Sequence, residues 1–371
     1  MARAWADVSL AAVAANVATL RAVCPDSELC AVVKADGYGH GAAPVARAAV
    51  AAGAGSLAVA QVAEATALRG AGIVAPTLLL SEPRPADLAE VLAADVAVTV
   101  YTPDLIARLG AMAESAGRSV AVHLKVDTGM HRVGAAPADL VRLAKLIDAE
   151  GALSLAAVWT HCAVADDPDD PFTARQLERF DAAVAAVEAA GIPVPMRHAA
   201  NSAAAIAHPA SRYDLVRCGI ALYGIAPSPR MRDRVALEPV VRLATEVAFV
   251  KPVAAGDGVS YGLRHHVDRD TLVATLPIGY ADGVFRSLGL LGQEVLIGGR
   301  RHPMVGAVTM DQVMVDLGPD SEVQPGDEVV LLGAQQDQRI SPDDWAERLG
   351  TIAYEVVCAL GARVERRYGD S

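Results

Sequence analysis

The sequence has few aromatic residues and no long uninterrupted apolar run. Aromatic residues make up 4% of the 371 residues, whereas hydrophobic residues of all kinds make up 53%. A chain of this length is expected to form two domains, and small aliphatic side chains must fill most of their cores. Because no apolar stretch is long enough to span a bilayer as a helix, we expect no membrane partner.

Basic residues are outnumbered by acidic ones. The 32 Lys and Arg residues stand against 44 Asp and Glu residues, which gives a formal net charge of −12. A protein that binds nucleic acid or an anionic membrane needs a basic face, and no block of like charge occurs here. We therefore expect neither nucleic acid nor a membrane as a partner.

Cysteine is also scarce, and the spacing of the cysteines suggests neither a metal site nor a disulfide framework. The five cysteines have neither the spacing of metal ligands nor the even number of a disulfide set: Cys24, Cys30, Cys162, Cys218 and Cys358. We interpret all five as small buried side chains in a reducing cytoplasm and expect no metal site.

The first 20 residues are rich in alanine, but they lack the basic segment and cleavage site of an export signal. Asp7 and Asn16 also interrupt the apolar character of this stretch. We interpret it as an amphipathic first helix capped by Ser9, and we expect a cytoplasmic protein.

From about residue 30 to residue 224, short β-branched runs alternate with Ala- and Leu-rich segments such as Pro103–Ala116 and Phe172–Ala190. Eight such runs occur: Cys30–Lys34, Ser56–Ala60, Thr77–Leu80, Val96–Val100, Val120–Val126, Leu155–Thr160, Met196–Ala199 and Leu215–Arg217. Alternating strands and helices predict a parallel sheet in an α/β fold. Eight repeats favour a closed (β/α)8 barrel of the TIM type over an open doubly wound sheet.

The pattern changes after Leu237. Strand-like runs joined by Gly, Pro and Asp turns predict a β-rich second domain: Val240–Val250, Thr271–Leu276, Glu294–Ile297, Gln312–Leu317 and Glu328–Leu332. One helix interrupts them near Pro342–Leu349, with Ser341 and Asp344 as its capping box. We expect domains of residues 1–235 and 236–371, with the first few residues as candidates for pairing with the second domain.

Unusual polar residues follow the predicted barrel strands, where barrel enzymes carry their active sites. Such residues occur after five of the strands: Lys34; Lys125 and Arg132; His161; His198, Asn201 and Ser202; and Arg217, Gly219 and Ile220. Ser202 at a helix start beside the Gly219 turn predicts an anion site. Each residue alone has an ordinary explanation, such as a solvated lysine or a core histidine. Their occurrence at one rim favours a functional site.

The run AVVKADGYGHG at residues 31–41 resembles the pyridoxal-phosphate attachment signature of the alanine racemase family, with Lys34 at the attachment position. The resemblance covers essentially the whole chain. Further matching segments follow in the family's order: HLKVDTGMHRVG, TH, HAANSAA, VRCGIALYG, GVSYG, PIGYADG, VTMDQVMVDL and TIAYEVV. The resemblance implies a pyridoxal 5'-phosphate enzyme that interconverts L- and D-alanine, supplies D-alanine for peptidoglycan, and works as a head-to-tail homodimer with shared active sites.

The resemblance also implies a role for each matched position. The two catalytic bases on opposite faces of the substrate are Lys34 and Tyr261. The substrate contacts are Arg132, Tyr280 and the backbone of Met310. The cofactor contacts, besides Lys34, are Tyr38, His161, Ser202, Arg217, Gly219, Ile220 and Tyr354. The supporting residues are Lys125, which is carboxylated in the family, His198 and Asp311. Arg217 faces the pyridine nitrogen, and because a guanidinium always carries its protons, it leaves that nitrogen unprotonated.

Two positions depart from the family pattern. Ala307 stands where many relatives carry arginine, and from this we expect a wider or less cationic substrate entrance. Glu365 stands where proline is commoner. Neither change affects the expected bases, but the first bears on substrate breadth.

Three other functions remain as alternatives. A barrel-type pyridoxal-phosphate decarboxylase would offer an acid or cysteine where this chain has Tyr261. A non-catalytic pyridoxal-phosphate carrier would end near residue 235. A racemase of broader specificity, or one of a specialised pathway, is the nearest alternative; broad racemases are often exported, and no export signal is evident here.

Overall fold

The structure is a computed structural model and describes residues 4–369. The chain divides into two compact units. The barrel unit comprises Ala12–Gly37 and Ala42–Glu238. The strand-rich unit comprises the chain up to Ala11, Tyr38–Gly41 and the chain from Pro239 onward.

The N-terminal stretch combines a strand and a helix. Strand β1 (Ala4–Ser9) leads directly into helix α1 (Leu10–Val23). The helix begins right after Ser9, as the predicted cap at Ser9 requires. The partners of β1 are residues 241–245 and 365–369, in the second half of the chain. Since pairing over such a distance specifies the strand, the local sequence carried no signal for it.

The barrel unit contains one sheet of eight parallel strands: β2 (Glu28–Val32), β3 (Ser56–Val59), β4 (Thr77–Leu79), β5 (Ala97–Val100), β6 (Val120–Lys125), β7 (Leu153–Trp159), β8 (Arg197–His198) and β9 (Leu215–Cys218). Their order is β8-β7-β6-β5-β4-β3-β2-β9. The two end strands are joined by backbone hydrogen bonds, from Asp214 N–H to the Arg197 carbonyl (3.1 Å) and from Arg217 N–H to the Ala200 carbonyl (3.0 Å). The predicted (β/α)8 barrel is confirmed, and the open doubly wound sheet was the wrong alternative.

Helices alternate with these strands: α2 (Ala42–Ala51), α3 (Val62–Gly70), α4 (Leu88–Ala94), α5 (Pro103–Ser115), α6 (Leu140–Ala149), α7 (Phe172–Ala189) and α8 (Ser202–Ala207). Helix α5 illustrates why they form. The Thr102 side chain accepts a hydrogen bond from Leu105 N–H, and Pro103 occupies the first helical position. Leu105, Leu109 and Ala113 then recur at helical spacing on the buried face.

The barrel strands bury two different sets of side chains. In β6, Val122 and Leu124 are fully buried aliphatic residues, whereas His123 and Lys125 alternate with them. Because successive side chains point to opposite faces of a sheet, His123 and Lys125 share one face and the aliphatic pair shares the other. The sequence of β6 thus combines an aliphatic core face with a polar face that ends at Lys125.

The strand-rich unit adds eleven strands to β1: β10 (Val241–Glu246), β11 (Phe249–Val253), β12 (Gly258–Val259), β13 (His265–His266), β14 (Thr271–Leu276), β15 (Glu294–Ile297), β16 (Arg300–Pro303), β17 (Val313–Gly318), β18 (Glu328–Gln335), β19 (Gln338–Ile340) and β20 (Glu365–Gly369). One sheet has the order β16-β15-β18-β10-β1-β20, with β19 paired to β18. A second has the order β11-β14-β17, and β12 pairs with β13. The predicted β-rich domain is confirmed, but the single strand expected over residues 240–250 is two strands in different sheets.

Two helices belong to this unit, α9 (Pro342–Leu349) and α10 (Ala353–Cys358). The predicted capping box of α9 is present. Ser341 Oγ accepts from Asp344 N–H at 3.2 Å, and the Asp344 carboxylate accepts from Ser341 N–H at 2.6 Å. Four of the five cysteines are buried as expected, but Cys358 is exposed, so the prediction was wrong for it. It ends α10, where Val356 and Val357 take the buried positions.

Two features are absent from residues 4–369. No helix there is long and apolar enough to cross a membrane. Within the same residues, no group of three or more His, Cys, Asp or Glu side chains is arranged to hold a metal ion.

Candidate active site

Basic side chains of the barrel unit gather around one tryptophan. Lys125 Nζ lies 4.2 Å from the Trp159 ring centroid, and Arg217 Cζ lies 4.5 Å from it. The His198 ring stacks on the same tryptophan at a centroid distance of 5.3 Å. All four of these side chains are buried. Attraction between the two cations and the aromatic face offsets part of the cost of removing them from water.

Arg217 organises this cluster through hydrogen bonds. Its Nη2 donates to the carbonyls of Thr160 (2.9 Å) and Ala199 (3.0 Å) and to His161 Nδ1 (3.2 Å). Its Nη1 donates to His198 Nδ1 at 2.6 Å. Burial lowers the pKa of Arg217 to about 10, which still leaves it protonated at neutral pH. The guanidinium is therefore a fixed donor that is held in place from several sides.

The permanent protons of Arg217 determine the tautomers of its histidine neighbours. Since His198 Nδ1 accepts from Arg217, its Nε2 must carry the ring proton. That Nε2 lies 3.0 Å from His123 Nδ1, so His198 donates to His123. Burial, and then the charge of Arg217, lowers the pKa of His123 to about 4 and holds the pKa values of His161 and His198 well below the usual range. These imidazoles are neutral at pH 7.

The pKa of Lys125 is strongly lowered. Burial lowers its pKa to about 7, and the charges of Arg217 and Arg132 act in the same direction. Lys34 also contributes, whereas Asp127 opposes the shift. With a pKa of about 7, the amine is present in both its charged and its neutral form near neutral pH, and the neutral form can act as a nucleophile. The cluster as a whole has an excess of positive charge, which suits it to anionic ligands.

The predicted anion site is assembled in the same unit. Ser202 Oγ accepts hydrogen bonds from Gly219 N–H (2.9 Å) and Ala221 N–H (3.4 Å). Ser202 begins helix α8, and Ile220 begins the 3-10 turn Ile220–Tyr223. A hydroxyl beside converging backbone N–H groups is a donor set of the kind that binds phosphate esters. Together with the nearby cations, these residues fit a phosphorylated cofactor.

Lys34 opens a left-handed turn rather than ending a strand. Strand β2 stops at Val32, and the next residues adopt positive φ: Ala35 (φ 52°, ψ 50°), Asp36 (φ 52°, ψ 48°), Gly37 (φ 61°, ψ 46°) and Tyr38 (φ 52°). Each non-glycine residue in this region costs roughly 1–2 kcal/mol. The prediction that the strand runs to Lys34 was therefore wrong. Consecutive strained residues of this kind concentrate at functional sites.

Within the strand-rich unit, the loops of Tyr280 and Met310 are joined. Tyr280 N–H donates to the Thr309 carbonyl (3.0 Å), and Ala281 N–H donates to the Met310 carbonyl (3.1 Å). A side chain at Gly279 would collide with these loops, because a Cβ there would lie 2.4 Å from the Met310 carbonyl oxygen. The two predicted substrate contacts are therefore neighbours.

Arg363 connects the loops of Tyr280 and Met310 through hydrogen bonds. It donates to both oxygens of the largely buried Asp282 side chain, at 2.8 and 3.0 Å, and to Asp311 Oδ1 at 2.9 Å. Hydrogen bonds from these two carboxylates raise the pKa of Arg363. Asp311, which the sequence indicated as a supporting residue, accepts a hydrogen bond from Arg363.

Tyr261 follows Ser260, whose backbone is also left-handed (φ 63°). It lines a cavity of about 830 Å³ together with Thr309 and Gln312 of the strand-rich unit. Ser260 Oγ donates to the Ala307 carbonyl at 2.6 Å. The Ala307 side chain is fully buried. The wider or less cationic entrance expected at this position stays a prediction.

The remaining predicted residues are distributed as follows. The rings of Tyr38 and Tyr354 lie 6.4 Å apart in the strand-rich unit. Tyr261, Tyr280 and Met310 are 72%, 43% and 53% exposed. Two sets can be distinguished among the predicted residues. Four are buried in the barrel unit and three are exposed on the strand-rich unit: Lys125, His198, Ser202 and Arg217, and Tyr261, Tyr280 and Met310. Outside these sets, Arg132 is exposed in the barrel unit and Tyr38 is buried in the strand-rich unit.

Three other residues of the candidate site were missed in the sequence. His123 and Trp159 each lie two residues before a predicted site residue, Lys125 and His161, and the period of a strand could have indicated them. Arg363 had no such signal, because its partners Asp282 and Asp311 are distant in the sequence.

Comparison with known proteins gives the family. Residues 8–227 match the description "Alanine racemase, N-terminal domain", and residues 240–368 match "Alanine racemase, C-terminal domain". The chain belongs to the alanine racemase family. It is 46% identical over 365 residues to the alanine racemase of Symbiobacterium thermophilum, covering 98% of this chain and 97% of that one.

Solved structures of family members share the fold. The alanine racemase from D-cycloserine-producing Streptomyces lavendulae superposes with a TM-score of 0.95 at 40% identity, over 100% of this chain and 98% of that chain. A histidine racemase from Leuconostoc mesenteroides superposes with a TM-score of 0.91 at 28% identity, over 99% and 98% of the two chains. Related folds therefore serve racemases of more than one amino acid.

Proposed function

We propose that this protein interconverts L- and D-alanine with pyridoxal 5'-phosphate attached to Lys34. The observation that carries the proposal is the fixed, hydrogen-bonded Arg217 in an excess of positive charge beside the Ser202–Gly219 donors. That donor set fits a phosphorylated, anionic cofactor, and the family supplies the reaction.

Several of the predicted residues would hold the cofactor. Ser202, Gly219, Ile220 and Tyr354 would bind the phosphate, with Tyr38 beside Tyr354. His161 and Arg217 would contact the ring. When bound, the cofactor supplies an electron sink that acidifies the α-proton of an amino acid.

Two side chains would move that proton. In the proposed reaction the Lys34 amine and the Tyr261 hydroxyl act from opposite faces, one removing the proton and the other returning one. Arg132 and the Met310 backbone orient the substrate carboxylate, and Tyr280 borders the entrance. Arg217, a donor that cannot lose its proton at neutral pH, would leave the pyridine nitrogen unprotonated.

Lys125 would become a carbamate. Its neutral amine attacks carbon dioxide, a N–C bond forms, and one proton leaves to solvent. The product is an anion that partly neutralises the cluster and accepts hydrogen bonds from Arg132. The lowered pKa of Lys125 supports this step, because only the neutral amine is nucleophilic.

A second copy of the chain would complete the site. Tyr261, Tyr280 and Met310 are exposed, although their proposed tasks require contact with substrate. We propose a two-fold homodimer in which these residues face the barrel mouth of the partner. We further propose domains of residues 1–235 and 236–371, a cytoplasmic location, and a role in supplying D-alanine for peptidoglycan.

Two measurements on the purified protein test this function. Circular dichroism should detect racemisation of L-alanine, and a panel that includes L-histidine would show whether the specificity is broad. Borohydride reduction should then fix the cofactor on the peptide that contains Lys34. Attachment at Lys125 or Lys145 instead, or racemisation of other amino acids without alanine, would contradict the proposal.

A further inference from the structure

The left-handed turn after Lys34 is held at its start by one carboxylate. Glu64 Oε1 accepts a hydrogen bond from Ala35 N–H at 2.6 Å. Ala35 is exposed, so packing against a core does not maintain its unfavourable backbone conformation. A charge-assisted hydrogen bond to its amide is therefore well placed to do so.

The other carboxylate oxygen of Glu64 caps helix α3. Oε2 accepts from Ala60 N–H (2.8 Å) and Gln61 N–H (3.0 Å), which forms the capping box of helix α3. One carboxylate thus joins the ends of the neighbouring strands β2 and β3. Because the α3 cap employs Oε2, capping alone does not explain the short contact between Oε1 and Ala35.

The end of the turn is tied down as well. Gly37 N–H donates to the Val33 carbonyl at 2.9 Å, and Asp36 Oδ1 accepts from Ala42 N–H at 2.9 Å. Without the bond to Glu64, the left-handed conformation of Ala35 loses a charge-assisted hydrogen bond and is held less strongly. A return of Ala35 to negative φ would break the bond between Gly37 and Val33, whose turn contains Ala35, and would rotate the chain next to Lys34.

We propose that Glu64 is a positioning residue that keeps the Lys34 amine directed for cofactor attachment by holding Ala35 in the left-handed conformation. This proposal rests on the proposed attachment at Lys34. It assigns Glu64 no contact with cofactor or substrate.

The test compares variants of Glu64 and Glu82, two glutamates whose side chains both accept hydrogen bonds from backbone N–H groups. Glu64→Gln removes the negative charge, and Glu64→Ala removes the whole hydrogen-bond acceptor. Glu82→Gln is the matched control, since Glu82 Oε1 likewise accepts two backbone N–H groups, from Tyr101 (2.6 Å) and Thr102 (2.7 Å). Hydrogen exchange of the peptide containing Ala35 is measured on cofactor-free protein. The rate of attachment at Lys34 is then measured by borohydride trapping after pyridoxal phosphate is added.

We expect both Glu64 variants to exchange the Ala35 amide faster and to attach the cofactor about tenfold more slowly or worse, as loss of a charge-assisted hydrogen bond implies. Glu82→Gln should match the wild type in both measurements. Adding Ala35→Gly to Glu64→Ala should restore much of the attachment rate, because glycine adopts positive φ without strain.

Unchanged exchange and unchanged attachment in both Glu64 variants would overturn the proposal. Failure of Ala35→Gly to restore attachment would also overturn it, since Glu64 would then act through α3 alone. If the wild type is not labelled at Lys34, the proposed function is refuted. The exchange measurement still tests the role of Glu64 in that case, because it is made without cofactor. If Glu64→Ala does not fold, the nearly isosteric Glu64→Gln supplies the same comparison.

Discussion

The two sets of site residues differ most in burial. In the barrel unit, Lys125, His198 and Arg217 are buried and connected through hydrogen bonds and cation–π contacts. In the strand-rich unit, Tyr261 and Met310 are more than half exposed. The first set is fixed by the fold of its own unit, and so it is preorganised for electrostatic work. The second set gains its proposed surroundings only when another surface covers it.

The largest expected effect is on the rate of racemisation. Lys34→Ala and Tyr261→Phe each remove one proposed base, and we expect the rate to fall by about 10²–10⁴-fold or more. Lys145→Ala removes a lysine outside both sets and serves as the control. Circular dichroism in both directions provides the measurement, and a Tyr261 variant with full activity would indicate that one base suffices.

The comparison predicts that substitutions in the two sets change stability by very different amounts. Arg217→Leu leaves His198 and the carbonyls of Thr160 and Ala199 without their donor, and we expect the free energy of unfolding to fall by about 2–5 kcal/mol. Tyr280→Phe, at the exposed set, should change it by less than about 0.5 kcal/mol. Urea denaturation at fixed protein concentration measures both variants. Equal losses would show that the burial contrast does not govern stability.

The buried imidazoles predict sensitivity to acid. The folded pKa of His123 is about 4, against an ordinary value of 6.5. Between these values the unfolded chain binds a proton that the folded chain does not, so the unfolding free energy should fall as pH decreases from 6.5 towards 4. His161 and His198 shift in the same direction.

The comparison of variants isolates this effect. His123→Gln, compared with the wild type, should reduce the loss of stability on acidification, because glutamine binds no proton in this pH range. Melting temperatures at several pH values between 7.5 and 4.5 provide the measurement. A wild-type protein with constant stability across this range would contradict the assignment of neutral buried imidazoles.

The smallest expected effect concerns the hydrogen bonds from Arg363 to Asp282 and Asp311. Arg363→Gln frees Asp282 and Asp311, and we expect KM for alanine to rise about tenfold with a smaller change in kcat. Arg367→Gln disrupts an exposed pair with Glu365, which is worth at most about 1 kcal/mol, and should leave both constants near wild type. Steady-state kinetics of both variants provides the measurement. Similar effects of the two substitutions on KM would show that Arg363 has no specific role in substrate binding.

Much of the fold followed from periodicity. The eight barrel strands and helix α9 were predicted close to their observed bounds, because β-branched alternation and a capping box are local signals. The first few residues were named as candidates for pairing with the second domain, but the bounds of strand β1 were not predicted, because its partners lie far along the chain. The two strands within residues 240–250 were merged, since only their pairing in different sheets separates them.

The site residues were found through the family signature more than through physical pattern. The turn at Ala35–Tyr38 was not predictable, because alanine, aspartate and tyrosine ordinarily avoid positive φ. The links from Glu64 to Ala35 and from Arg363 to Asp282 join residues that are remote in sequence. Such contacts depend on the assembled fold, which local composition does not encode.

The central claim is that each site combines the buried set of one copy with the exposed set of another. Mixing inactive Lys34→Ala and Tyr261→Phe proteins under conditions that exchange subunits tests it most directly. In a mixed dimer one site would carry both lesions and the other none, so with random exchange roughly a quarter of wild-type activity should return. If both sets came from one chain, every site would keep a lesion, and no activity would return.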